Sequence, residues 1–230
     1  MVQWWRVGRR LSAIVRLAPI REMRVKRESK TLRMNTGWDK KEWLSRSDHK
    51  DTSTATFESP LCDILIGACE SGIHSISWQM NNDSSMVPKA RQETWGAVTG
   101  RQGPSCAPLE EAVAWLRQYF RDPHVAQRPP PLCLRQVKVE SCIPIWHKLK
   151  DQVGPGTTIS YGGLAQLCGN PKASRHVGYA MGHNPFTLVV PCHRVVTSSG
   201  KLGNYCRGRG NQLKTWLHAH ELGGLDCESN

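Results

Sequence analysis

Residues 187 to 196 read TLVVPCHRVV, which sets a thiol, an imidazole and a guanidinium in consecutive positions between two valine pairs, directly after a proline. The thiolate is the nucleophilic form of cysteine, and an adjacent imidazole or cation lowers the thiol's ordinary pKa of ~8.5. That makes Cys192 a candidate nucleophile. His193 is its neighbour in sequence, so in an extended strand the two side chains would point to opposite faces. His193 can therefore serve Cys192 only through a turn or a bridging water. An imidazole acting as a base also needs a group that holds its tautomer, usually a carboxylate. Near the end of the chain the triplet Ala219-His220-Glu221 offers Glu221. On these residues alone, an inert buried cysteine is an equally good reading.

The elements that must position these groups follow from periodicity and turn chemistry. Order is expected from about Thr54. The stretch 55–79 reads as a hairpin: Cys62, Ile64 and Ile66 alternate with Asp63, Leu65 and Gly67, then Glu70-Ser71-Gly72 turns the chain into Ile73–Trp78. Residues 81–107 are polar and carry Gly, Pro and Ser, which predicts a loop. Leu109, Val113, Leu116 and Phe120, widened by Trp115 and Tyr119, predict a helix over 109–122. The run RPPPL at 128–132 reads as a stiff linker. A helix is expected from about Pro144, since proline suits a first turn. Two short helices follow: one with Ser160 as N-cap and Gly169 as terminator, one with Asn170 as N-cap and Pro171 at the first helical position. Joined at a Gly-Asn corner, they fit a helix-turn-helix. Residues 186–190 read as an apolar strand running into Pro191. A glycine-rich loop, GKLGNYCRGRGN, leads to a last helix, QLKTWLHAHE.

The 230 residues carry a formal charge of +12, which points to a polyanionic partner, nucleic acid first. Residues 1–50 hold fourteen Lys/Arg against five Asp/Glu, a net of +9, so residues 51–230 carry only +3. The basic excess belongs mostly to the leader. Its first 20 residues have four Arg, two Trp and no acid, a composition that a mitochondrial presequence and a disordered basic extension share; the charged, polar residues 21–50 favour the extension. Nine cysteines, an odd number, with no C-x-x-C and no secretory signal, are read as reduced thiols in an intracellular compartment. No apolar run nears the ~20 residues that span a bilayer. The divisions expected are 1–50 extension, 51–135 N-terminal domain with linker, 136–225 C-terminal domain and 226–230 tail.

ISYGGLAQLCGNPKASRHVGYAM, then HNP, PCHRVV, SSG, GNY and AHE follow in that order between about Ile159 and Glu221. With a weaker series, SPL, CESGIH and AWLRQYF, over 59–120, this resembles the O6-alkylguanine-DNA alkyltransferase (methylated-DNA–protein-cysteine methyltransferase) family. Nothing comparable covers residues 1–50. The resemblance implies an α/β (α+β) architecture: a small ribonuclease H-like sheet domain, then a mostly helical domain carrying the helix-turn-helix and the active-site cysteine.

It also implies DNA repair by direct reversal. Cys192 would take an alkyl group from O6 of guanine, less readily from O4 of thymine, once and irreversibly, with no cofactor. His193 would act as a water-mediated base oriented by Glu221, Asn184 would brace the turn, and Tyr161 would hydrogen-bond the base. Tyr205 and Cys206 would line the pocket, Lys214 would lie close to it, and Arg194 would join the DNA-binding set. Because the base must leave the helix, Arg175 would fill the vacated stack while the second helix enters the minor groove of double-stranded DNA on its small residues, Ser174, Gly178 and Ala180, with Ala173. The protein would be a monomer that acts in the nucleus.

Departures from the family pattern are specific. Cys206 stands where a serine usually donates to the guanine oxygen, and a thiol is a much weaker donor. His176 and Tyr179 are bulkier than the family norm, Gly182 replaces a common basic residue, and GRGNQLK is two residues longer. Cys69 and His74 match two ligand positions of a structural zinc that some members bind. Lys50 and Leu132 stand near the other two, with His49 and Cys133 next door, so a bound zinc and an ordinary core cysteine both remain open. Competing functions are a lesion-binding relative without transfer, against which Cys192 speaks, a thiol hydrolase, and a major-groove regulator that has no need of Cys192.

Overall fold

A computed structural model describes residues 52–79, 95–124, 126 and 128–223. The basic extension, His49, Lys50 and the tail 226–230 lie outside the described residues, as does most of the 81–107 loop.

Four antiparallel strands form the first sheet in the order β3-β2-β1-β4. They are β1 Ser53–Glu58, β2 Asp63–Cys69, β3 Gly72–Trp78 and β4 Val98–Gln102. The expected hairpin is β2–β3, and the alternation is as read: Ile64 and Ile66 are fully buried while Leu65 faces solvent. The hairpin is extended by β1 on its other side. The loop expected over 81–107 is corrected at its end, where β4 pairs with β1 through Thr56↔Thr99 and Phe57↔Val98. Apart from half-buried Val98 its side chains are exposed. Its order comes from the backbone ladder of β1 rather than from burial, so no apolar pattern marks it.

Helix α1, Ala107–Arg121, lies on this sheet. Its Phe120 stacks on Phe57 at 6.2 Å and meets Trp78 edge-on at 6.5 Å. Burying one such ring stabilises the fold by ~1.5–3 kcal/mol.

The outer edge of β3 is covered twice, which protects it from pairing with another chain. Ile73 N donates to Pro131 O and Cys133 N to Ile73 O, both at 2.8 Å. The proline run is thus pinned to the sheet. Gly72 permits this approach: its φ is +140°, and a Cβ there would lie 2.6 Å from Pro131 O. Further along, Ile76 N donates to Pro185 O and Thr187 N to Ile76 O.

That second clip corrects the apolar strand expected at 186–190. Phe186 and Thr187 make single bridges, Leu188 turns at φ 72°, and Val190 N returns to Phe186 O at 2.8 Å. Leu188, Val189 and Val190 are buried in a tight loop, and full burial produces the same apolar run that a buried strand would. A short parallel pair instead joins β5, Ile159–Ser160, to β6, Val195–Val196, beyond Cys192.

Around that pair sit α2 Ile143–Gln152, α3 Tyr161–Leu167, α4 Ser174–Gly182 and α5 Asn211–Glu221. Pro144 lies in the first turn of α2, and Ser160 Oγ caps α3 by accepting from Gly163 N at 3.0 Å. Helix α4 begins later than read. Asn170 is not its N-cap: its carbonyl closes a separate turn with Ala173 N, and Ala173 precedes the helix without a side-chain cap.

Candidate active site

Cys192, His193 and Arg194 form one 3-10 turn that follows Pro191, with Arg194 N donating to Pro191 O at 2.9 Å. This resolves the adjacency of thiol and imidazole, since the backbone is curled there rather than extended. Asn184 braces the turn from outside. Its Nδ2 donates to Val190 O at 2.9 Å and lies 3.3 Å from the Cys192 sulfur, while its Oδ1 accepts from Phe186 N.

Glu221, the last residue of α5, is a hub buried behind the turn. Its Oε1 accepts from His193 Nε2 at 2.8 Å, Arg194 Nη2 at 2.8 Å and Tyr119 Oη at 2.7 Å. Its Oε2 accepts from Arg194 Nε at 3.0 Å and Gly156 N at 3.2 Å. Burial opposes its ionisation, but the contacts with His193 and Arg194 more than offset this and hold the carboxyl far below the ordinary range.

Arg194 is therefore corrected as a DNA contact. Its guanidinium is buried and committed to Glu221 and to Val153 O. Lys214 lies beside Cys192, as the resemblance implies, but it is 1% exposed and its Nζ donates to the carbonyls of Val195 and Leu202, so it is no surface contact. Burial lowers its pKa to about 8, while the neighbouring Cys192 works against that fall. It acts as an internal cation beside the sulfur. Ala180 is fully buried, with its carbonyl taken by Trp146 Nε1.

The sequence expectation for the thiol is also modified. Burial raises the Cys192 pKa, and the lowering influence of Asn184, Lys214 and Tyr205 does not cancel it. His193 is pushed the other way by burial. The free protein thus holds a protonated thiol next to a neutral imidazole. Because Nε2 is bonded to a carboxylate, it must carry the proton, leaving Nδ1 as the acceptor. Nδ1 is buried and, among the described residues, is hydrogen-bonded to no protein atom.

A cavity of roughly 390 Å³ opens over the sulfur, lined by Cys192, Tyr161, Gly178, Met181, Tyr205 and Cys206 among others. Cys206 sits in a left-handed turn, and its thiol is pushed up to about 12 by burial first and then by Cys192 and Cys62. On α4, Arg175 is exposed, Ser174 and Gly178 are half-buried, and a Cβ added at Gly178 would meet none of the described residues within 4 Å. His176 is turned onto Ser141 O, whereas Tyr179 stays 47% exposed and stacks on His183 at 4.0 Å.

Away from this cavity, Cys69, His74 and Cys133 converge, their donor atoms all within 4.8 Å of one another and all three residues buried. The pinning of Cys133 N on Ile73 selects Cys133 over Leu132. Two thiols and an imidazole match the donor chemistry of zinc.

Two participants escaped the sequence reading. Tyr119 and Trp78 reach the site from the N-terminal half, Trp78 by donating its Nε1 proton to Tyr205 Oη at 3.2 Å. Both were read only as parts of apolar patterns, and neither has a local signal of contact with residues more than a hundred positions away.

Two family models match. Residues 53–128 match the ribonuclease-like domain of 6-O-methylguanine DNA methyltransferase, and residues 143–223 match its DNA binding domain. Among curated relatives, the methylated-DNA–protein-cysteine methyltransferase of Mus musculus is 38% identical over 171 residues, 73% of this chain and 80% of the relative. That of Homo sapiens is 40% identical over 170 residues, 72% and 78%. The crystal structure of Mycobacterium tuberculosis OGT in complex with DNA aligns with a TM-score of 0.55 at 28% identity, covering 73% of this chain and 91% of that one. With both halves matched and the Cys192–His193–Glu221 arrangement in place, the chain belongs to the methylated-DNA–protein-cysteine methyltransferase family.

Proposed function

We infer that this protein repairs DNA by direct reversal, moving an alkyl group from a damaged base onto its own Cys192. The observation that carries the assignment is the seat of Cys192 at the cavity, with His193 and Glu221 hydrogen-bonded behind it, in a chain of this family. The substrate is O6-alkylguanine in double-stranded DNA, with O4-alkylthymine less favoured.

His193 Nδ1 takes the thiol proton through a bridging water, and Glu221 stabilises the imidazolium that forms. The thiolate then attacks the alkyl carbon. An S–C bond forms as the C–O6 bond breaks, and the electron pair leaves with the guanine, which Tyr161 meets as a hydrogen-bond donor. The product thioether is not displaced, so each molecule reacts once. The sulfur itself is the acceptor, and no cofactor carries the group.

A base inside the duplex cannot reach a buried sulfur, so it must be flipped out, at a few kcal/mol. Exposed Arg175 at the start of α4 is suited to fill the gap. Ser174 and Gly178 give that helix a low profile for the minor groove, while exposed Tyr179 has to lie at its margin. We further propose that the protein acts as a monomer in the nucleus. A zinc ion held by Cys69, His74 and Cys133 would tie β2, β3 and the linker together as a structural link, taking no part in transfer.

Intact-protein mass spectrometry after incubation with an O6-methylguanine duplex tests the assignment. A single methyl increment mapped to Cys192, absent from Cys192→Ala, is expected. Binding of the duplex without any increment would make the protein a lesion binder instead.

A further inference from the structure

Trp78 closes β3 and belongs to the half of the chain that carries no reacting group. We propose that it is a positioning residue for the alkyl acceptor: its indole N–H fixes the Tyr205 hydroxyl so that the hydroxyl's one proton is given to the Cys192 sulfur.

The argument begins with valence. An indole is a donor only, so in the 3.2 Å contact the Tyr205 oxygen must accept. The phenol's single proton is then directed elsewhere; Cys192 lines the same cavity as Tyr205, and the two groups influence each other's ionisation. Trp78 and Tyr205 are 7% and 5% exposed, so bulk water is a poor competitor for either bond.

Rigidity comes next. The indole is held edge-on against Phe120. Two residues earlier, Ile76 clips the segment that leads into Cys192 through Pro185 O and Thr187 N. One strand therefore sets both the backbone that carries the sulfur and the donor behind its hydroxyl partner.

The groups facing the sulfur are Asn184, Tyr205 and the Lys214 cation, which favour the thiolate, with Tyr161 and Cys206 also beside it and His193 on its own turn. A hydrogen bond to an anion is stronger than one to a neutral group, and a hydroxyl that accepts a bond becomes a better donor. The indole thus favours the thiolate over the thiol without touching it.

The inference rests on Cys192 being the reacting group, and its test is independent of DNA. In the full chain, iodoacetamide labelling of Cys192 is followed from pH 6 to 10 by peptide mass mapping, which separates it from the other cysteines. Trp78→Phe should raise the apparent pKa of Cys192 by ~0.3–0.5 unit, slowing labelling about two- to threefold near neutrality and recovering at alkaline pH. Added to Tyr205→Phe, the same substitution should change nothing further. A pH-independent loss, an unchanged profile, or an equal effect in both backgrounds would overturn the proposal. If a thermal melt finds Trp78→Phe unfolded, Trp78→β-(3-benzothienyl)alanine keeps the bicyclic shape and removes only the N–H. A protein that labels as expected yet takes no methyl group from the duplex would refute alkyl transfer and leave this relay standing.

Discussion

The Tyr119 hydroxyl donates to Glu221 Oε1 at 2.7 Å, across 102 positions of sequence, and the same oxygen accepts from His193 Nε2 at 2.8 Å. The carboxylate that orients the candidate base is therefore held jointly by its own turn and by α1 of the N-terminal half. His124 and His220 reinforce the seam, the first at Glu221 O and the second at Tyr119 O, each at 2.8 Å.

Replacing Tyr119 by Phe removes one donor from a carboxylate that keeps Arg194, His193 and Gly156 N. A hydrogen bond to a charged group contributes ~1.5–3 kcal/mol, and the remaining donors should reduce the loss to the lower end. The expected result is a lower melting temperature and a two- to fivefold slower alkyl transfer, with DNA affinity unchanged. Glu221→Gln should slow transfer by more than tenfold, because the amide cannot stabilise a charged imidazole. If Glu221→Gln transfers at the wild-type rate, Glu221 has no part in the chemistry.

Acid should destabilise the fold in two stages. Burial lowers His147 and His218 to about 4, so the unfolded chain binds their protons first as pH drops from 6.5 towards 4. Their neutral state stabilises fully above pH 6.5, and this contribution is lost across that window, up to ~3 kcal/mol for buried His218 and less for half-buried His147, which solvent screens. Glu221 is depressed below the ordinary carboxyl value, so its contribution is present above about pH 4.5 and is lost below it. The melting temperature should be flat near pH 7 and begin to fall near 6.5. His218→Gln, whose amide can still donate to His193 O, should flatten the upper part of that fall. A melting temperature constant down to pH 4.5 would contradict the assignment of these histidines as neutral in the fold.

How much of this was readable in advance depended on the range of each signal. Ser160 capping α3 and the α1 stripe were legible because caps and helical periods are local. The pairing of Cys192, His193 and Glu221 was legible because its order is carried by a specific motif. Strand β4 was not, since Val98–Gln102 contributes a ladder and almost no core. Nor was the loop at 186–190, where burial on all sides mimics a strand. Nor was the role of Arg194: a cation next to a predicted DNA site looks like a DNA contact, and only the fold reveals that its charge is already used on Glu221 and Val153 O.

Cys206→Ser should speed transfer. The Cys206 thiol is held at about 12 and is a feeble donor at neutral pH, whereas a hydroxyl at this wall of the cavity can donate to the departing guanine oxygen. Removing one donor of this kind from an enzyme site typically slows catalysis by ~10²–10³; a smaller gain of three- to tenfold is expected here, because only one donor is strengthened on a site otherwise unchanged. Single-turnover kinetics on an O6-methylguanine duplex measure it. Equal rates would mean that Cys206 only lines the wall and that the guanine oxygen finds its donor elsewhere.

Arg175→Ala separates flipping from chemistry. Arg175 is exposed in the first turn of α4 and is not among the residues that line the cavity over Cys192, so the reaction with free O6-alkylguanine should be unaffected. In duplex DNA the flipped state would lose the side chain that fills the vacated stack. With flipping costing a few kcal/mol, loss of half of one such contribution would slow duplex repair by about tenfold. The measurement is the ratio of second-order rates on duplex and on free base, for wild type and variant. A fall confined to the duplex supports a stacking role. An equal fall on both would place Arg175 in the support of the cavity itself, and the gap left by the flipped base would then need another occupant, for which exposed Tyr179 on the same helix is the next residue to vary.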